Sequence, residues 1–182
     1  QIYKQLLSSA DSYFYKRHIK HCDVVQIGTK SMYDQSILKA LSKTKKPVLL
    51  KRGFNATLQE FIQAAEFILS GGNENVILCE RGIRTFETKT RFALDFCSIA
   101  WIKEHINLPI IVDPSHALGE RYGIINLSKA AIAIGADGLL IEVHPSPDKA
   151  LSDANQQIDF KMAKELIKSI QPLIKMNNKR LV

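Results

Sequence analysis

The sequence predicts an α/β fold of the (β/α)8 TIM barrel class. Three observations carry this. Apolar, strand-like runs recur at similar spacing; amphipathic helical stretches fill the intervals; and the runs are continuously apolar rather than alternating. Strand–helix alternation implies parallel strands joined by right-handed crossovers. Continuous apolar strands imply a sheet covered on both faces. A doubly wound sheet shares these features, but no G-x-G-x-x-G or P-loop follows any strand, which weakens it.

The elements follow in order. A possible first strand lies near Tyr3 to Ser8. The next are "DVVQIG" (Asp23 to Gly28), "PVLLK" (Pro47 to Lys51), "NVILCE" (Asn75 to Glu80), "PIIVD" (Pro109 to Asp113) and "GLLIEV" (Gly138 to Val143). The clearest helix is "TLQEFIQAAEFILSGG". Thr57 and Glu60 form a capping box, Leu58, Phe61, Ile62, Ala65 and Ile68 keep helical spacing, and Gly71 is expected as the left-handed stop. Arg91 to Ile106, Ile125 to Gly138 and the tail from Phe160 to Met176 are read as further helices. Residues 1–182 are therefore read as a single barrel domain. About six of the eight βα units of such a barrel are visible, the N-terminal ones are missing, and no regulatory domain is visible at either end.

Composition narrows the function classes. Hydrophobic content is 46% and charged content 24%, ordinary for a soluble globular protein. No apolar run approaches the roughly 18 residues that a membrane helix needs, and Gln1 to Lys20 lacks the apolar core of a signal peptide. Cys22, Cys79 and Cys97 make neither a C-x-x-C pair nor a zinc pattern, so reduced, mostly buried thiols in a cytoplasmic protein are expected. The net charge of +7 raises the question of nucleic acid. The densest basic runs, "KTKK" (Lys43 to Lys46), "YKRHIKH" (Tyr15 to His21) and "KMNNKR" (Lys175 to Arg180), have no aromatics suited to stacking bases. Solvated helix faces and ends are the expectation for them. A positive field also draws small anions to a cleft.

The strand ends carry the chemistry. The run at Val48 ends in Lys51-Arg52, and the run at Val76 ends in Glu80-Arg81. The run at Ile110 ends in Asp113 and reaches His116, and the run at Leu139 ends in Glu142 and His144. In a barrel these ends share one mouth, where active sites sit. Cations, carboxylates and an imidazole together suit an anionic substrate beside a divalent metal. His116, Glu142 and Asp153 are the metal candidates, their N/O set suiting Mn²⁺, Fe²⁺, Co²⁺ or Zn²⁺. Asp153 lies on the loop after the last strand, where it is equally readable as a helix N-cap. Lys51 and Arg81 are the phosphate candidates, with Thr29 and Lys30 able to join them. In "IIVDPSH", Pro114 is expected to stop the strand, while Asp113 and Ser115 hold the loop that presents His116.

The segments "QIGTKSMYDQ", "KPVLLKRG", "GNENVILCERGIRTFE", "LPIIVDPSHALG" and "AAIAIGADGLLIEVHPSPDKALSDANQQ" resemble the type I DAHP synthases, more narrowly their β subgroup. The resemblance runs in order from about Asp11 to Gln157. It implies a metal-dependent enzyme that condenses phosphoenolpyruvate with erythrose 4-phosphate, the first step of the shikimate pathway. It implies His116, Glu142 and Asp153 as metal ligands, and Lys51 and His116 as catalytic residues. Thr29, Lys30, Lys51, Arg81 and Asp113 would serve substrate binding, with Lys30 standing where the family commonly has Arg. A homo-oligomer, dimer or tetramer, is expected. The sister family, 3-deoxy-octulosonate 8-phosphate synthase, shares the fold and metal site, but "ERGIRTFETKTR" resembles the heptulosonate branch. The family's Gly-Pro-Cys motif, bearing a fourth metal ligand, and its Lys-Pro-Arg-Thr loop are not found in this sequence. This leaves a catalytically dead homologue, acting as a binding partner, as the other alternative.

Overall fold

The structure is a computed structural model that describes residues 6–9 and 19–181. Tyr3–Gln5 of the expected first strand and Tyr15–His18 of one basic run lie outside the described residues. The chain divides into two compact units, Gln1–Cys79 and Glu80–Val182.

In the first unit, β1 (Leu6–Ser9), β2 (Val24–Ile27), β3 (Val48–Lys51) and β4 (Val76–Glu80, ending at the unit boundary) follow one another in parallel. Ile27 pairs with Leu50, and Leu50 with Leu78; all three are fully buried. All four residues of β3 are buried, as expected for a strand covered on both faces. Helices α1 (Gln35–Ser42) and α2 (Leu58–Ser70) bury Ile37, Leu41, Phe61 and Ile68. Asp34 caps α1 by accepting from the Ser36 and Ile37 amides. The expected capping box on α2 is present: Thr57 accepts from the Glu60 amide, and Glu60 Oε2 accepts from Thr57 N at 2.8 Å. The left-handed stop is one residue later than expected. Gly71 is helical (φ −78°) and Gly72 takes φ +102°, because the Gly71 amide still bonds back to Ile68.

The "KTKK" run is not simply solvated. Lys43 and Lys45 donate to the Gly71 and Gly72 carbonyls at the end of α2, and Lys46 donates to the Cys22 carbonyl at 2.7 Å. Lysines here complement carbonyls that a helix end leaves without intrahelical partners. The fully buried Asn73 does similar work, donating to Leu41 and Lys46 carbonyls and accepting from the Asn75 amide. Cys22 and Cys79 are buried free thiols and Cys97 is exposed. Burial pushes the Cys22 thiol above its ordinary pKa, against the pull of Lys46.

The second unit holds β5 (Ile110–Val112) and β6 (Gly138–Leu139), paired in parallel, with α3 (Phe96–His105), α4 (Pro114–Leu118), α5 (Ile124–Ala133) and α6 (Phe160–Met176). Three expectations shorten. The helix expected from Ile125 to Gly138 spans Ile124–Ala133, since Gly135 turns at φ +96° and Gly138 already opens β6. The helix expected from Arg91 begins at Phe96, because Asp95 caps it through the Ser98 amide and Ala93 is already paired with Ile83 in an antiparallel bridge. The strand expected to reach Val143 leaves the ladder after Leu140, where the Glu142 amide turns to the Ser115 hydroxyl. Val143 then bridges Ile158. Leu166, Ile170 and Ile174 form the buried stripe of α6 and pack with Ile124, Ile132 and Ile158. No helix among the described residues is long and apolar enough to cross a membrane.

Asp137, just before β6, ties this unit together. It accepts from Lys103 of α3, from Lys179 after α6 and from the Ile110 amide that opens β5. Burial alone would raise its pKa; Lys179, the Ile110 amide and Lys103 outweigh burial and hold it below the usual carboxylate value. A carboxylate with a lowered folded pKa contributes stability that is present above its unfolded pKa, near ~3.9, and is lost as pH falls through the folded value. Asp137→Asn is therefore expected to cost about 2 kcal/mol at neutral pH in urea unfolding. The gap between variant and wild type should close as pH drops below about 4. A gap that stays constant down to acid pH would refute this role.

Candidate functional site

His116 is placed by β5 and the turn that follows it. Asp113, fully buried, is the N-cap of α4, Pro114 is its first residue, and Gly119 closes it at φ +77°. The expected loop is thus a short helix. Asp113 Oδ1 accepts from the His116 amide at 3.0 Å, and Oδ2 lies 2.7 Å from His116 Nδ1, off the line of the N–H bond. A carboxylate against Nδ1 favours the tautomer whose Nε2 lone pair is free to ligate. Nε2 faces Glu142 Oε1 at 3.4 Å.

Glu142 and Asp153 arrive from the chain after β6. Ser115 Oγ, in α4, accepts from the Glu142 amide at 3.2 Å, so α4 locates a second candidate ligand as well as carrying the first. Asp153 is no N-cap, since Asp159 caps α6. It sits at φ +54°, a conformation uncommon outside glycine, in a turn closed by the Gln156 amide on the Asp153 carbonyl. One ligand atom each from His116, Glu142 and Asp153 lie within 4.8 Å of one another. Imidazole nitrogen with two carboxylate oxygens suits a first-row divalent metal, and this spacing fits one.

The sequence reading missed Gln156 and Arg91. Gln156 is buried, donates from Nε2 to Glu142 Oε2 at 2.7 Å and accepts from Arg91 at 2.9 Å. Arg91 is also 3.9 Å from Asp153. Gln156 lies in "DANQQ", three residues past Asp153, and nothing in the sequence marks its amide as buried.

Arg81 follows β4 and is buried. Its guanidinium stacks on Phe92 at 4.2 Å and donates to the His116 carbonyl at 3.2 Å. The next residue, Gly82, has φ +95°, and its amide donates to Glu80 Oε1 at 2.6 Å. In the first unit Lys51 ends β3, buried, with Arg52 donating to the Ala56 carbonyl. Thr29 and Lys30 form a short 3-10 turn after β2, Thr29 half-buried and Lys30 exposed. The structure thus brings His116, Glu142, Asp153, Asp113 and Arg81 into one unit, with Thr29, Lys30 and Lys51 in the other. An apolar concavity of about 760 Å³ beside β6, lined by Leu139, Ile141, Leu166 and Ile170, contains none of these residues.

Residues 11–177 match the family described as the DAHP synthetase I family. The chain belongs to that family. It is 49% identical over 154 residues to a phospho-2-dehydro-3-deoxyheptonate aldolase of Thermotoga maritima, covering 85% of this chain and 46% of that protein. A 2-dehydro-3-deoxyphosphooctonate aldolase of Syntrophotalea carbinolica is 30% identical over 162 residues, covering 83% of this chain and 57% of that one. The chain spans about half the length of these relatives. A truncated 3-deoxy-D-arabino-heptulosonate 7-phosphate synthase from T. maritima superposes with a TM-score of 0.94 at 42% identity, over 97% of this chain and 68% of that one. The parallel strands and their helices are those of the family's TIM barrel, as the strand–helix period predicted.

A stability test of this part of the DAHP synthetase I scaffold concerns Gly82. A Cβ there would lie 2.7 Å from Phe92 Cβ and 3.2 Å from Ala117, at a positive φ. Gly82→Ala should cost roughly 1–3 kcal/mol in urea unfolding. An unchanged midpoint would mean that the Arg81–Phe92 segment relaxes freely.

Proposed function

We propose that this chain forms most of the catalytic barrel of a metal-dependent 3-deoxy-7-phosphoheptulonate (DAHP) synthase. The enzyme joins phosphoenolpyruvate to erythrose 4-phosphate at the entry to the shikimate pathway of aromatic amino-acid biosynthesis. The observation that carries the reading is the convergence of His116, Glu142 and Asp153 within 4.8 Å in a chain of this family. The heptulosonate assignment over the octulosonate one is supported by 49% against 30% identity to the respective relatives.

His116, Glu142 and Asp153 would hold a divalent Mn, Fe, Co or Zn ion, which when bound polarises the aldehyde oxygen as a Lewis acid. Asp113 keeps His116 in the ligating orientation. Arg81, stacked and anchored, offers a preorganised fork to phosphoenolpyruvate, and buried Lys51 offers a point charge. Thr29 and Lys30 add contacts at the phosphate. Held this way, C3 of phosphoenolpyruvate meets the aldehyde carbon, water adds at C2, and phosphate leaves. Most of the gain is orientation and electrostatics. A cytoplasmic homo-oligomer completes the proposal.

The test is a phosphate-release assay with Mn²⁺ on the complete protein. Release should require both phosphoenolpyruvate and erythrose 4-phosphate, and Arg81→Ala should weaken phosphoenolpyruvate binding by tenfold or more, on the order of the loss of a charge-assisted contact. Release without the aldehyde, or calorimetric affinity unchanged in Arg81→Ala, would oppose the reading. Mn²⁺ should also raise the melting temperature by mass action, and His116→Ala should abolish that rise. A rise that persists in His116→Ala would remove His116 from the ligand set.

A further inference from the structure

We infer that Gln156 is a positioning residue that makes Glu142 a one-oxygen metal ligand and so selects small transition metals over Ca²⁺. The inference rests on the metal reading above. Gln156 is 2% exposed, and both ends of its amide are engaged. Nε2 donates to Glu142 Oε2 at 2.7 Å, and Oε1 accepts from Arg91 Nη1 at 2.9 Å. These partners decide which way the amide faces, because a guanidinium only donates and a carboxylate only accepts. A flipped amide would set two donors against each other at one end and two acceptors at the other.

The consequence falls on Glu142. Its Oε2 is occupied by the amide, while Oε1 faces His116 Nε2. Oε1, turned toward His116, is then the oxygen placed to ligate, and an ion that took Oε2 as well would share it with the amide donor. Ca²⁺ takes six to eight oxygens and favours bidentate carboxylates, whereas first-row ions accept fewer, mixed N/O ligands. The same residue holds the other carboxylate through its main chain, since the Gln156 amide closes on the Asp153 carbonyl at 3.1 Å. One buried glutamine therefore touches both carboxylate segments, and Arg91 backs it from the partly exposed side.

The experiment uses metal-stripped complete protein, titrated with Mn²⁺ while the free ion is followed by electron paramagnetic resonance, and then challenged with Ca²⁺. Gln156→Leu should weaken Mn²⁺ binding by about 10–100-fold, the usual cost of losing a residue that orients a ligand. It should also shift the Ca²⁺-to-Mn²⁺ preference toward Ca²⁺, as Glu142 becomes free to bind through both oxygens. Arg91→Met unlocks the amide without emptying the buried position, and should shift both quantities the same way by a smaller factor. Equal Mn²⁺ affinity in wild type and Gln156→Leu, with binding still lost in His116→Ala, would overturn the inference and leave the metal reading standing. Weakened Mn²⁺ binding with an unchanged Ca²⁺ preference would overturn the one-oxygen role. A wild-type protein that binds no Mn²⁺ would overturn the metal reading, and this inference with it.

Discussion

The Asp113 carboxylate organises the second unit. One oxygen starts α4 by accepting from the His116 amide, and the other stands against the His116 ring. A buried carboxylate is tolerated only with such partners, and it imposes its geometry on them. From α4, Ser115 fixes the Glu142 amide, and the His116 carbonyl receives Arg81. The imidazole, a candidate carboxylate ligand and a candidate phosphate arginine are thus located by one three-residue strand and the turn behind it.

Several of the chain's cations have partners within the chain itself. The net charge of +7 invites a search for an anionic partner. Yet Lys43, Lys45, Lys46 and Lys179 spend their donors on main-chain carbonyls, and Lys103 joins Lys179 on Asp137. Helix ends leave carbonyls that need donors, and an ammonium on a long flexible stem reaches them. Lys51, Arg52 and Arg81 are different in kind, being buried at or just after strand ends. Desolvating a cation is costly, and positions of that sort are where substrate-binding groups are found.

In the candidate metal centre each ligand is braced by other groups of the chain. His116 is braced by Asp113, Glu142 by Gln156, and the Asp153 turn by the Gln156 main chain. Such supports reduce the reorganisation needed on binding and set which ligand atoms face the ion. The supports come from β5, α4 and the 142–158 segment, so the candidate ligands are braced within one unit.

The sequence by itself determined the strand–helix period, the capping box at Thr57, the full extent of α6 and the three metal candidates, while the helix that Asp113 caps reads in the sequence only as a loop. These depend on local rules: apolar periodicity, side-chain oxygens that accept from amides two or three residues on, and charged residues at strand ends. It misjudged Gly71, the start of α3 and the ends of α5 and β6, where a single cap, glycine turn or hydrogen bond set the boundary. Gln156 and Arg91 were invisible for a related reason. Arg91 lies sixty-five residues from Gln156, and Gln156 fourteen from Glu142. No periodicity links such positions, and only the folded chain gives a buried amide a carboxylate on one side and a guanidinium on the other.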